Sequence, residues 1–236
     1  MAGVAVVGFL SMNFVACSDS GSGAGNFDAA EVCPAEGVNA YGMANRGTFV
    51  DERDGRTYSY TTIGNQVWMA ENLNYKTEYS ACYDDDEANC EVFGRLYFLT
   101  EKEYEGRLLD INKIDAVCPA GWHLPIFHEF EQMVLAVGNW DDESTATKLK
   151  SSELWNSVGT DDCGFSAIPA GMFNGVPREL TRKEENEHNP AKYKSIMGEA
   201  HFWTATMKYI YMEYISLLLA QKFLHTLIQT ASPSAA

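Results

Sequence analysis

Residues 57–63 (TYSYTTI) alternate along a run of β-forming side chains, and residues 66–70 (QVWMA) form a second short run after Gly64 and Asn65. Two β-leaning runs separated by a two-residue turn predict a β-hairpin. Residues 51–55 (DERDG) read as the turn that precedes it. Residues 94–100 (GRLYFLT) form another β-leaning run, with a helix expected to follow near Tyr104. Pro125 stands where a helix would begin. Phe127, Phe130, Met133, Val134 and Val137 then recur at helical spacing, and Gly138 ends the run. Residues 144–151 fit a second short helix. Residues 165–173 (FSAIPAGMF) read as a strand broken at Pro169, and residues 201–206 (HFWTAT) as another strand. Strands first, helices in the middle and strands again describe an α+β domain with an antiparallel sheet. No internal repeat interrupts this order.

The two ends break the pattern. Residues 1–16 are apolar and uncharged and close on small residues, which is the form of an export signal. Residues 14–17 (FVAC) resemble the lipobox of bacterial lipoproteins, in which the cysteine, here Cys17, is lipidated and becomes the first mature residue. Residues 17–48 then read as a tether and irregular lead-in, Gly/Ser-rich over 18–30, with the folded part expected to begin near Phe49. At the other end, residues 209–228 tempt a membrane reading. Glu213, Lys222 and His225 leave the uninterrupted apolar run too short for one. Leu217, Leu218, Phe223, Leu224 and Leu227 form a rough helical stripe, so residues 208–236 are expected to be a divergent tail, helical and packed on the domain, or exposed.

Composition acts mainly by exclusion. The chain has 236 residues, 46% of them apolar, which suits one packed domain with appendages. A formal charge of −16 repels phosphate backbones and argues against nucleic-acid partners. With Cys17 set aside, Cys33, Cys82, Cys90, Cys118 and Cys163 remain, an odd number. Export permits disulfides. Cys82 and Cys90 flank a short acidic loop (CYDDDEANC) and are the natural pair. No C-x-x-C or histidine cluster marks a metal site.

Five motifs, in order, carry a resemblance: DGRTYSYTTIGNQVWMAENLNY (54–75), CYDDDEANCEVFGRLY (82–97), CPAGWHLPIFHEFEQM (118–133), TDDCGFSAIPAG (160–171) and FWTAT (202–206). Together they resemble the Fibrobacter succinogenes major paralogous domain, over residues 49–207. That family consists of predicted cell-surface proteins, often lipoproteins, without an established activity. GWHLP followed by an aromatic and an acidic helix is similar, more broadly, to the C-type-lectin-like fold of formylglycine-generating-enzyme relatives. This resemblance implies a compact, loop-rich domain with short antiparallel strands and one or two helices, of the kind that serves as a binding platform. Family members close with a strand carrying an R-C motif; here no cysteine follows Cys163, so the resemblance leaves Cys118 without its usual partner. The change of composition at Met207 suggests a frame-shifted or diverged ending.

The candidate chemistry is sparse. Asp84, Asp85, Asp86 and Glu87 offer oxygens that could hold calcium, but they lack the spacing of a known calcium loop, and a solvated loop is the plainer reading. His123, between Trp122 and Leu124, reads as a hydrogen-bonded core residue, and His128 and Glu129 as the surface start of a helix. Cys163 beside Asp161 and Asp162 is a poor nucleophile. Aromatic faces stack on sugar rings. Trp68, Trp122 and Trp203 sit in core-like motifs, which leaves Trp140 and Trp155 as the exposed ligand-binding candidates. No nucleophile–base order, G-x-S-x-G or phosphate loop appears, so no enzyme is indicated. The expectation is an exported protein of the cell envelope, anchored in the outer membrane by lipid and facing outward. It would bind polysaccharide or another surface protein without catalysing a reaction. The alternatives are a structural envelope protein without a discrete ligand and an enzyme on a lectin-like fold.

Overall fold

The hairpin forms where the alternation places it. In the computed structural model, which describes residues 27–97, 117–173, 193–205 and 210–213, β2 (Arg56–Ile63) and β3 (Gln66–Met69) pair antiparallel, with Ile63 opposite Gln66. Gly64 turns the chain with φ +58°. β1 (Arg46–Asp51) adds to the other side of β2, from Arg46 opposite Thr61 to Asp51 opposite Arg56, for a sheet order of β1-β2-β3.

From Tyr60 onward β2 is buried at every position, because the sheet is covered on both faces there. Trp68 and Met69, neighbours on β3, face opposite ways. Met69 joins Tyr58, Leu73, Tyr97, Leu124 and Trp203. Trp68 meets Phe130 and Phe165 edge-on, with ring centres 5.8 and 6.0 Å apart. Phe130 comes from the predicted central helix, α3 (Phe127–Val137), which buries Phe130, Met133, Val134 and Val137 on one stripe. The second short helix, α4 (Glu143–Leu149), is capped by Asp142, whose carboxylate accepts from the Ser144 N–H at 2.8 Å.

Smaller pieces complete the order: α1 (Ala29–Val32), β4 (Ser80–Ala81), α2 (Glu87–Phe93), β5 (Leu96–Tyr97), β6 (Met172–Phe173), β7 (Tyr193–Lys194), β8 (Glu199–Phe202) and β9 (Ile210–Glu213). β4 pairs with β5, β6 with β7, and β8 with β9, each antiparallel. The architecture is thus α+β, with short antiparallel strands and few helices.

Four expectations differ from what forms. The irregular lead-in is ordered from Phe27: Asp28 caps α1, the Val32 carbonyl accepts the Gly64 N–H, and Cys33 is bonded to Cys163, with Cα atoms 5.2 Å apart. A covalent tie to the core, invisible in local composition, holds it there. The run 165–173 yields only a parallel bridge between Ala167 and Lys150, then the two-residue β6. The strand expected over 201–206 starts earlier and ends at Phe202. The tail expected to be helical begins as a strand. Ile210 lies opposite Phe202 and Glu213 opposite Glu199, because β-forming residues at 210–212 meet the edge of β8 before the leucine stripe begins. That stripe, the helix expected near Tyr104, and the export segment with Cys17 lie outside the described residues. Among the described residues, no helix is long and apolar enough to cross a membrane.

Candidate functional site

Helix α2 is short, so its position depends on what ties it down. Asp86 caps it by accepting from the Ala88 N–H at 2.9 Å. The Cys82–Cys90 disulfide, with Cα atoms 5.0 Å apart, pins the middle of the helix at Cys90 to the chain before it, as the flanking spacing predicts. Gly94 ends it with φ +73°. Two amides then join α2 to the segment after β3: Asn72 Nδ2 donates to the Phe93 carbonyl at 2.9 Å, and Asn74 Nδ2 to the Cys90 carbonyl at 3.0 Å. The Arg95 N–H donates to the Leu73 carbonyl at 3.0 Å. Gly94 sits so close that a Cβ there would lie 2.6 Å from the Asn72 Cβ.

These ties leave a groove of about 520 Å3 between α2, the β1-β2-β3 sheet and residues 164–168. Ser59 and Tyr60 line it from the sheet, Ala70 from just past β3, Glu91 and Val92 from α2, and Ser166 and Ile168 from the third side. Tyr60 lies over Gly47, and the Arg46 guanidinium lies against Gly164, each where a side chain would collide. Asp161 holds the third side in shape, accepting from the Ser166 N–H at 2.8 Å and from its hydroxyl at 2.6 Å. Burial pushes the Asp161 carboxyl above its ordinary range, against those hydrogen bonds.

The charges of the groove are paired or bonded to backbone. Arg56 Nη2 meets Glu91 Oε2 at 2.9 Å across the rim. That hydrogen bond, and then the Arg56 charge, hold the Glu91 carboxyl below the usual range. Glu71 accepts from the Ser59 N–H at 2.8 Å. Arg46 Nη2 donates to the carbonyls of Cys33 and Asp162, at 3.3 and 3.1 Å. Two buried atoms of lining residues, Asn72 Oδ1 and Arg46 Nε, have no hydrogen-bond partner among the described residues.

The residues singled out from the sequence lie elsewhere or apart. Trp155 was expected to be exposed. It is buried, because its indole N–H finds the Ala167 carbonyl at 2.7 Å and Lys150 Nζ sits 4.5 Å from its ring centre. Trp140 is half-buried, parallel to Phe127 with ring centres 6.1 Å apart. Trp68 and Trp203 are buried, as their motifs suggest, and Trp122 stacks on Phe49.

The four acidic residues do not converge. Asp84 and Asp85 both take left-handed backbone angles, φ 56° and 57°. Asp85 accepts the Tyr193 hydroxyl at 2.6 Å, Asp86 caps α2, and Glu87 meets Arg95 at 2.6 Å and Lys76 at 2.9 Å. His123 bonds Glu129 at 3.1 Å, and Glu129 also accepts the Ile126 N–H at 2.8 Å. Burial pushes the Glu129 carboxyl up, but these bonds outweigh it and leave the group below its usual range. His128 is exposed beside Glu131, at 3.2 Å.

The groove residues Arg46, Arg56, Glu71, Asn72, Asn74 and Glu91 escaped the sequence reading. One signal was present. In ENLNY (71–75), polar residues bracket Leu73 immediately after a buried strand, and buried amides there had to be bonding something.

The profile of one protein family, the Fibrobacter succinogenes major domain, matches residues 61–231. The match begins within β2 and runs past residue 207, where the family-like part was expected to end. No curated protein matches the chain, and no solved structure does. The chain belongs to the Fibrobacter succinogenes major domain family.

Proposed function

Taking that membership as the premise, we propose that the chain is a non-catalytic surface module that binds a polysaccharide in the groove beside α2. In this reading it is exported and held at the outer membrane by lipid on Cys17. The carrying observation is the groove: at about 520 Å3 it is in the range of small-ligand sites and large enough for a short stretch of sugar chain. Its lining mixes planar hydrogen-bonding groups (Arg46, Arg56, Glu71, Asn74) with apolar surface on Val92 and Ile168. Sugar rings present the same mixture, a rim of hydroxyls around C–H faces. A protein-binding patch is more often flat, with an apolar centre.

The charge arrangement supports binding over hydrolysis. Glycoside cleavage needs one carboxyl kept protonated. Arg56 does the reverse to Glu91, and Asp161, which burial raises, is not among the lining residues and is bonded to the Ser166 N–H and hydroxyl. Export is supported by the apolar residues 1–16 ahead of Cys17 and by two disulfides, which persist in oxidising compartments.

The test is retention on insoluble polysaccharides and on a glycan array, using the oxidised, folded chain. Val92→Arg places a long charged side chain in the groove at an exposed position and should abolish retention without changing the melting temperature. Loss on Trp140→Ala instead would move the site to the Phe127–Trp140 pair. No retention of the folded chain on any polysaccharide would overturn the reading and leave a surface protein as the partner to seek. Separately, labelled fatty acid should be incorporated by the expressed protein and not by its Cys17→Ala variant.

A further inference from the structure

Resting on the groove as a polysaccharide site, we infer that it selects uncharged sugar chains and rejects uronate- or amine-bearing ones. The charges of its lining are already engaged within the protein. Arg56 and Glu91 neutralise each other at 2.9 Å, Glu71 takes the Ser59 N–H, and Arg46 donates to two backbone carbonyls. Two arginines and two glutamates line the groove, so its own charge is balanced in a chain of formal charge −16. A polyanion approaching it would meet a repulsive overall field, and two guanidiniums already engaged through Nη2. A polycation would be drawn to the surface at large, and inside the groove would have to compete with Arg56 for Glu91.

The two unsatisfied atoms favour the same class of ligand. Asn72 Oδ1 is an acceptor and Arg46 Nε a donor, both buried and without partners among the described residues. Leaving such groups unbonded is unfavourable. A hydroxyl can both give and take a hydrogen bond, so one kind of ligand group serves both atoms. A carboxylate could serve only Arg46, and an ammonium only Asn72. Both atoms are closed to solvent, so the wall must yield slightly for a hydroxyl to reach either. That requirement favours small neutral groups over hydrated ions, whose water shells resist removal.

The experiment compares soluble neutral glucans, xylans and mannans with polygalacturonate and chitosan at low and high salt. The wild-type chain should bind at least one neutral polymer with an affinity that salt leaves unchanged within about twofold. Polygalacturonate and chitosan should bind at least roughly tenfold more weakly. Glu91→Gln, at an exposed position, frees Arg56 and should admit polygalacturonate in a salt-sensitive way. Preferential, salt-sensitive binding of a charged polymer by the wild type would overturn this inference and leave the polysaccharide reading standing. Failure of the folded wild type to bind any of the polymers would overturn both.

Discussion

Two single residues carry constraints of different kinds, Gly94 in the backbone beside the groove and Asp51 as a buried carboxylate on β1. Gly94 has φ +73° and ψ −170°, a region essentially restricted to glycine, and a Cβ would lie 2.6 Å from the Asn72 Cβ. Gly94→Ala should therefore cost about 2–4 kcal/mol in denaturant unfolding, adding backbone strain to a clash. It should also weaken the Asn72–Phe93 bond and with it the groove. Asp51 is buried on β1 and held by Arg53 at 2.8 and 2.6 Å, with the Arg53 N–H also on it at 3.1 Å. Burial pushes this carboxyl up, but the arginine bonds and charge outweigh it, so the folded state holds the proton less tightly than the unfolded chain. Its contribution is therefore complete above about pH 5 and is lost as pH falls through about 4 and below. Asp51→Asn should cost about 1–3 kcal/mol near neutral pH and flatten the acid limb of stability in urea titrations from about pH 3 to 7. An unchanged acid limb would remove Asp51 from that role. Neither residue was legible as special in the sequence. Gly94 read as the start of a β-leaning run, because its constraint comes from the distant Asn72, and Asp51 as part of a turn, because its nearby partner Arg53 gives no sign in the sequence that the carboxylate is buried.

Elements with a local cause were legible, and those with a distant one were not. The hairpin follows from two β-leaning runs about Gly64, and α3 from an apolar stripe with Gly138 behind it. The Cys82–Cys90 bridge follows from spacing alone. The Cys33–Cys163 bridge joins residues 130 apart, and no local pattern could choose it over the alternatives. The groove is worse still: its walls come from β1, β2, α2 and residues 164–168, brought together only by folding. The two bridges also differ in what they constrain. Closing a 130-residue span removes more unfolded-state freedom than closing an 8-residue one, about 5 against about 2.5 kcal/mol in the chain-entropy account. Cys33→Ser with Cys163→Ser should then lower the melting temperature by roughly 10–20 °C, and Cys82→Ser with Cys90→Ser by roughly half as much. The smaller loss should carry the larger functional effect, because α2 forms a groove wall and the 82–90 bridge is its covalent anchor. Equal losses of polysaccharide retention from both pairs would contradict that division of labour.

At the scale of the whole molecule, the question is how the last strands are closed. β8 lies deep: Ala200, His201 and Phe202 are all at most 1% exposed, and Phe202 packs on Phe130 and Phe165 at 5.4 and 5.9 Å. Such a strand has backbone groups that must be bonded on its free side. β9 supplies those bonds from within the stretch whose composition changes at Met207. A tail that looks foreign by composition thus satisfies the edge of β8 by hydrogen bonding. The family match, which runs to residue 231, includes it. Backbone pairing tolerates such a composition because a ladder reads N–H and C=O positions more than side chains, provided β-forming residues are present. Truncation after Met207 should then uncover one edge of β8 beside the main apolar cluster, a template for pairing with other chains. The expected outcome is soluble aggregate on size-exclusion chromatography and a lower melting temperature. Replacing only residues 214–236 by a Gly/Ser segment, which keeps β9, separates the strand from the rest of the tail. If that chain stays monomeric while the truncation aggregates, β9 closes the domain. If both aggregate alike, the closing contacts lie beyond Glu213 and the strand alone is insufficient.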